Sequence, residues 1–418
     1  MAEAKIPLPP VKPVLILSGH SIMESMLPRL SEKYDLCYLA PQAIHIAEAH
    51  GIKAMAMNSF IDSKVQEHAL NAAALMTANV VKHVPIVAER IQDIVGNDNS
   101  TLPTELNVVS DWWAGFIMHH LRERAFLIAG LNNLSTQREI AGCIVHEDLT
   151  PDMRATVLWC NAMNIPTIHL PHANCHLLSD AGLDIHRETR TQYIAAAGRY
   201  MADWYAASGF APDRIRITGT PGFDALCQDR LNQDESRQVL GIDKDATVVA
   251  YNTTWQQTTG LRGRWQEELE QGLNAVIDLV KEWHAYLIIK VHWNETQQAE
   301  EAYAQRLRAV GIEGAVTRHH HVYVLRAADV LIAQGPSNVC VDAAILGTPS
   351  AYQQTEGFDF AHKMPFRGTP DTIAQAALMA KDSRGDPAWS DFCKLYNDAY
   401  PDGNASDRVC EMIEELCQ

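Results

Sequence analysis

At 418 residues with 47% hydrophobic side chains, the chain is long enough to bury two or three cores. Its net charge of −17 sets the molecule as a whole against a nucleic-acid backbone or an anionic bilayer, while leaving room for a local basic patch. No apolar run reaches the roughly 18 residues of a membrane span, "MAEAKIPLPP" lacks a basic stretch before an apolar core, and the nine cysteines form no C-x-x-C pair, so a reduced, cytoplasmic protein is expected.

In chain order, "PVLILS" reads as a buried strand, "GHSIMESMLPRLSEKY" as turn and helix, and "DLCYLA" as the next strand. Residues 55–135 are more helical and less regular and read as an insertion. Then come a strand in "GCIVHED", a helix after Thr150 and Pro151, a strand in "IPTIHLPH", another in "QYIAAAG", a helix in "RYMADWYAASGF" and a strand in "IRITGTPGFDAL". The composition turns polar near residues 235–240. A second set follows: "TVVAYNTTW", a long helix near "EELEQGLNAVIDLVKEW", "AYLIIKVHWNE", a helix in "EEAYAQRLRAV", "VYVL" as a strand, "DVLIAQGPS" and "PSAYQQ". Apolar strands alternating with helices predict two doubly wound parallel sheets, a first domain over 1–237, a second over 238–385, and closing helices over 386–418.

The polar residues gather where strands end. "LIAQGPSNVCVDAAILGTPS" reads as a strand, a turn at Gly335 and Pro336, and a short helix apolar nearly all round, capped by Ser337 or Asn338 and stopped at Gly347. Its start is suited to phosphate, and Asp342, four residues after Asn338 on the same stripe, needs a partner. Lys290 and His292 alternate at another strand end and can point to one side. Thr253 and Thr254 offer hydroxyls to phosphate, and Trp255 offers a ring to a base, a sugar or the core. Asp148, beside Glu147, is a candidate general base or a helix cap, and His20 in the turn "SGHS" is a further candidate near a phosphate. Gly219, Pro221 and Asp224 are expected to form a turn and helix start, with Asp224 near a hinge. A metal is not expected: His169, His172 and His176 lack an acidic partner on a helix, His319, His320 and His321 read as a solvated turn, and the D-x-D at Asp243 to Asp245 lies at the wrong end of its strand.

Several of these stretches resemble the CDP-glycerol glycerophosphotransferases, enzymes of teichoic-acid-type polymers. "VVAYNTTWQQ" is similar to their "YAPTWR", "LIIKVHWNE" to "K-x-HP", "ADVLIAQGPSNVCVDAAILGTPS" to "ADVLISDYSSVVFDALALGKP", "IPTIHLPHANCHL" to a strand followed by "QHG", and "IRITGTPGFDAL" to "VTGNPRFD". The five motifs keep the family's order over residues 140 to 352. The wider group, which includes UDP-N-acetylglucosamine 2-epimerases, implies a GT-B-type architecture: two Rossmann-like doubly wound domains facing across a cleft.

The resemblance further implies a nucleotide-activated donor, CDP-, CMP- or UDP-linked, held by the second domain, and a hydroxyl of a surface polysaccharide or teichoic-acid-like acceptor. The transferred group is a glycosyl or polyol-phosphate group. His292 would bind the donor diphosphate with Lys290, Gly335, Ser337 and Asn338. Asp342 would meet a ribose hydroxyl or brace the loop, and His172 would act as general base. Trp293, Ala173, Gly335 and Pro336 depart from the family's pattern and point to a changed donor or acceptor. Two other readings are carried: a UDP-sugar 2-epimerase and an inactive nucleotide-sugar-binding module. No resident metal or cofactor, no nucleic-acid partner and no autonomous membrane anchor are expected, and recruitment to the inner face of the membrane would fall to a partner.

Overall fold

The structure, a computed structural model, describes residues 11–83, 102–148, 150–172, 189–254, 264–292, 295–335, 337–354, 364–397 and 402–418. Strands β1 (Val14–Leu17), β2 (Asp35–Tyr38), β3 (Ala54–Ala56), β4 (Ile140–Val145), β5 (Thr167–His169), β6 (Tyr193–Ala196) and β7 (Ile215–Ile217) are followed by β8 (Val248–Asn252), β9 (Tyr286–Lys290), β10 (Gly314–Thr317), β11 (Val330–Gln334), β12 (Ser350–Gln353) and β13 (Arg367–Gly368). They form a seven-stranded sheet in the order β3-β2-β1-β4-β5-β6-β7 and a six-stranded sheet in the order β10-β9-β8-β11-β12-β13. The pairings are parallel, as the continuous apolar runs predict. By contacts the chain parts into two compact units, 1–170 with 189–193 and 410–418, and 171–188 with 194–409. No helix among the described residues is long and apolar enough to cross a membrane.

In the first unit, Val14, Ile16, Cys143 and Val145 turn one face of the sheet toward Leu127, Leu131 and Leu134, which recur at helical spacing on Leu102–Gln137. Val157 and Cys160 of Pro151–Ala162 complete that core. The helix starts at Thr150 with Pro151 in its first turn, as the sequence predicts.

The second sheet shows the period of two that a strand imposes. Val249, Tyr251, Leu287, Ile289, Val330 and Ile332 face helices Arg264–Trp283 and Ile373–Lys381, while Val248, Ala250, Ile288, Leu331 and Ala333 face helices Val339–Ile345 and Pro387–Tyr396. Asp329, the acid just before β11, ties the strands together: its carboxylate accepts the Val248 N–H at 2.8 Å and Arg237 Nη2 at 3.0 Å.

Three expectations are corrected. "VYVL" is part of helix His321–Ala327, not a strand. β10 and β11 lie in one parallel sheet, and a parallel return needs a crossover that covers the sheet face, so packing overrides the β-branched composition. "GAVT" at 314–317, unassigned in sequence, is the edge strand β10, and residues 54–56 add β3 at the start of the segment expected to be helical. Both are short edge strands, mostly half-buried, and lack a long apolar run.

Gly198, the cap before helix Arg199–Ala207, packs directly on the end of helix Pro387–Tyr396. A Cβ there would lie 2.5 Å from the Tyr396 carbonyl carbon and 2.7 Å from its oxygen. Gly198→Ala is therefore expected to destabilise the protein by about 1–3 kcal/mol, because backbone has to move. Urea denaturation checks this, and an unchanged midpoint would show that the helix end yields.

Candidate functional site

In a doubly wound sheet, ligands bind at the carboxyl edge where the winding reverses and successive loops diverge. In the six-stranded sheet the reversal lies between β8 and β11. Thr253 and Thr254 follow β8, Lys290 and His292 end and follow β9, and Gly335, Ser337 and Asn338 follow β11. The residues expected to hold the donor thus share one sheet edge.

The loops are tied to one another. Thr253 donates its N–H to the Lys290 carbonyl at 3.0 Å and accepts the His292 N–H on its hydroxyl oxygen at 2.9 Å. Thr254 donates its N–H to Gln334 Oε1 at 3.2 Å, linking the loop after β8 to the end of β11. Thr253 is wholly buried, so the expectation that its hydroxyl meets phosphate is corrected: it fixes the His292 backbone instead. Thr254 is half-buried at the same edge. Trp255 lies outside the described residues, as do Ala173, His176, Trp293 and Pro336.

Gly335 takes φ +77°, the left-handed turn that lets β11 swing into its loop. Ser337 Oγ accepts the Val339 N–H at 3.3 Å, and Asn338 Nδ2 donates to the His172 carbonyl at 3.5 Å. That contact brings the exposed His172 to the start of helix Val339–Ile345. Asp342 accepts from His321 Nε2 at 2.8 Å, which ties helix Val339–Ile345 to helix His321–Ala327.

Burial sets the protonation states. Desolvation, and then the Lys290 charge, press the His292 pKa down to about 4. Burial and then Arg318 lower Lys290 as well, with Glu300 pulling back, and Lys290 Nζ donates to the Val291 carbonyl at 3.2 Å. A pKa this low makes His292 neutral at pH 7.

Glu295, absent from the sequence expectations, is 5% exposed and donates its N–H to the His292 carbonyl at 2.9 Å. Burial raises its pKa to about 7, with the Thr253 hydroxyl and Arg318 pulling back. Neither carboxyl oxygen is in good hydrogen-bonding geometry with a described group, so the Thr253 influence acts without a well-aligned bond. A lone acid in a polar loop carries no sign of burial in sequence.

At the first sheet the reversal lies between β1 and β4. His20 and Asp148 follow those strands, but their fates differ. The Asp148 side chain is fully buried. It accepts the Arg190 N–H, the Thr191 N–H at 3.2 Å and Arg154 Nη2 at 3.5 Å, and so ties down the chain at 190–191. Its candidacy as general base is corrected, because a fully buried carboxylate whose oxygens are spent on these donors is not within reach of an acceptor hydroxyl. Asp224 likewise accepts the N–H groups of Ala405 and Ser406, at 2.9 and 2.7 Å. His20 is half-buried and meets His146, a residue the acid pair beside it obscured in sequence.

A family model described as CDP-glycerol:poly(glycerophosphate) glycerophosphotransferase matches residues 175–415, more than half of the chain. The chain belongs to this family. Its fold is that of the UDP-GlcNAc 2-epimerase from Neisseria meningitidis bound to UDP-GlcNAc, with TM-score 0.57 at 14% identity over 96% of this chain and 99% of that one. The Methanocaldococcus jannaschii UDP-GlcNAc 2-epimerase, in complex with UDP-GlcNAc and UDP, is similar at TM-score 0.57 and 11% identity over 97% of this chain and 100% of that one. At such identities the likeness establishes the GT-B-type fold alone. No curated protein matches the chain. The glycerophosphotransferase match contains Lys290, His292, Ser337, Asn338 and Asp342, while His172 lies just before it.

Two outcomes follow from the burial. Because Glu295 holds its proton to about pH 7 when folded against 4.5 ordinarily, its contribution to stability is full below pH 4.5 and lost as pH rises to about 7. Relative to wild type, the Tm of Glu295→Gln should rise steadily across that window, and a constant difference would show a carboxyl already charged. Asp148→Asn should destabilise by about 1.5–3 kcal/mol, as loss of hydrogen bonds to a buried charge does. Calorimetry that finds full stability would return Asp148 to the list of bases.

Proposed function

We propose that the chain transfers a polyol-phosphate group, glycerophosphate first, from a nucleotide-activated donor to a hydroxyl, and that the edge between β8 and β11 holds the donor. The observation that carries the reading is that Lys290, His292, Thr254 and Ser337 share the carboxyl edge of the neighbouring strands β9, β8 and β11, in stretches that resemble the family's motifs. The acceptor oxygen attacks the donor's distal phosphorus. A new P–O bond forms, the P–O bond to the nucleotide breaks, and nucleoside monophosphate leaves with the electron pair. The acceptor proton passes to His172, whose carbonyl is hydrogen-bonded to Asn338 beside the phosphate loop.

Lys290 and His292 supply N–H donors to the diphosphate, so the reading needs no resident metal, and a chelator should leave activity unchanged. His292 is the variable member. A dianionic ligand beside it favours the imidazolium, so its pKa rises from about 4 on binding and a proton is taken up. Affinity for nucleotide should therefore fall as pH rises through the pKa of the bound state. Titration calorimetry in buffers of different ionisation enthalpy measures this uptake, and none at all would remove His292 from the phosphate contact.

The deciding experiment is a thermal-shift screen of wild type and His292→Ala with CMP, CDP, CDP-glycerol, UDP and UDP-sugars. At a hundred times its Kd a ligand stabilises by about 2.7 kcal/mol. Stabilisation by cytidine nucleotides that is lost in His292→Ala supports the glycerophosphate reading; stabilisation by UDP-sugars alone shifts it to a glycosyl donor; no response ends it. The fold shared with epimerases motivates one control, incubation with UDP-GlcNAc alone, in which no isomer should form. Transfer to a surface-polymer precursor would put the reaction at the cytoplasmic face of the membrane.

A further inference from the structure

Strand β10 ends the six-stranded sheet, with β9 on one side and no strand on the other among the described residues. Leu287 donates its N–H to the Glu313 carbonyl at 3.1 Å, and Val291 donates to the Thr317 carbonyl at 2.9 Å. Backbone groups alternate sides along a strand, so Gly314 and Val316 turn their N–H and C=O toward the open edge. Exposed edges are commonly blunted by a proline, a lysine or a bulge. The "GAVT" of β10 carries neither proline nor charge, and it pairs with β9 in unbroken register. Beside this edge runs a groove along helix Gln297–Val310, floored by Ala304, Leu307, Ile312 and Val316 and rimmed by Glu301 and Arg308. Glu300 is held by Arg318 at 3.2 Å, but the exposed side chains of Glu301 and Arg308 have no ion-pair partner among the described residues. They stand two turns apart on one face of the helix, with Ala304 midway between them.

We propose that this edge is the interface of a twofold dimer, in which β10 pairs antiparallel with β10 of a second copy and joins the two six-stranded sheets. An axis through Ala315, perpendicular to the sheet, sets Gly314 of each copy opposite Val316 of the other, so that each donates its N–H to the other's carbonyl. The same axis lays the two copies of helix Gln297–Val310 side by side and antiparallel on one face of the joined sheet. Leu307 Cδ1 lies 3.3 Å from where a Cβ on Gly314 would be. Only residues 311–313 join the helix to β10, so the helix runs back along the strand, and Ala304, nearly a turn before Leu307, stands over the middle of β10. Glu301 of each copy then faces Arg308 of the other, and the small Ala304 at the crossing lets the helices approach. The outward backbone groups of the strand and the charge spacing on the helix thus put the axis at the same place. A foreign strand could satisfy the edge, but opposite charges set evenly about one point are matched by a copy of the same surface. The inference does not depend on the transferase reading.

The test is sedimentation equilibrium of the full chain, with hydrogen exchange read at β10. Wild type should form a dimer that dissociates on dilution, with the Gly314 and Val316 amides protected in the dimer and exchanging in the monomer. Glu301→Arg and Arg308→Glu each set like charges across the axis, twice over, and should weaken the dimer about tenfold. The double variant Glu301→Arg/Arg308→Glu restores opposite charges and should recover it. Ala304→Trp, which wedges the helices apart, should give a monomer with the fold intact by circular dichroism. The proposal is overturned if the chain is monomeric at roughly 100 μM, which would leave the edge to a foreign strand. It is equally overturned if both single charge variants dimerise as wild type does, if the double variant stays as weak as the single ones, or if the two amides exchange alike in dimer and monomer.

Discussion

Parallel strand pairing is the constraint from which the rest of this structure follows. A parallel strand cannot return through a hairpin, so a connection has to cross back over the sheet, and each such crossover covers a face. That is why the strands read as unbroken apolar runs, and why helix His321–Ala327 forms from residues with strand-like composition. The same winding sends every strand's carboxyl end to one edge. It opens a gap wherever the direction of winding changes, between β1 and β4 in one sheet and between β8 and β11 in the other.

At both gaps, several polar groups are spent on building the edge itself. Thr253, Asp148 and Asp342 are builders: each spends its oxygens on a backbone N–H or a neighbouring histidine. An unmade bond on such a buried group costs about 1–3 kcal/mol, so the loops they hold are not free to drift. Lys290 and His292 are held differently. Burial has pushed the pKa of both down, so each holds its proton less firmly than in water.

Much of the second sheet's edge was legible in sequence because each motif joins a buried strand to a polar turn. "LIIKVH" and "LIAQGPSN" name their strand ends and the residues beyond them, and the order of the motifs carries the family. The partner of Asp342 was not legible. His321 is 21 positions away and belongs to a run of three histidines that looks solvated, and only the crossover brings it within 2.8 Å. The burial of Glu295 escaped for the same reason, since its neighbours in sequence are polar and the groups that desolvate it are not adjacent.

Composition, apolar periodicity and motif order thus determined by themselves the doubly wound class, the family and the set of loops at the second edge, because strand ends and turn residues are local signals. Tertiary structure alone decided which polar groups are spent on holding loops, which histidines meet Ser18, His20 and Asp342, and where protons rest at His292 and Glu295. Those properties depend on desolvation and on contacts between residues far apart in the chain, and no local pattern encodes either.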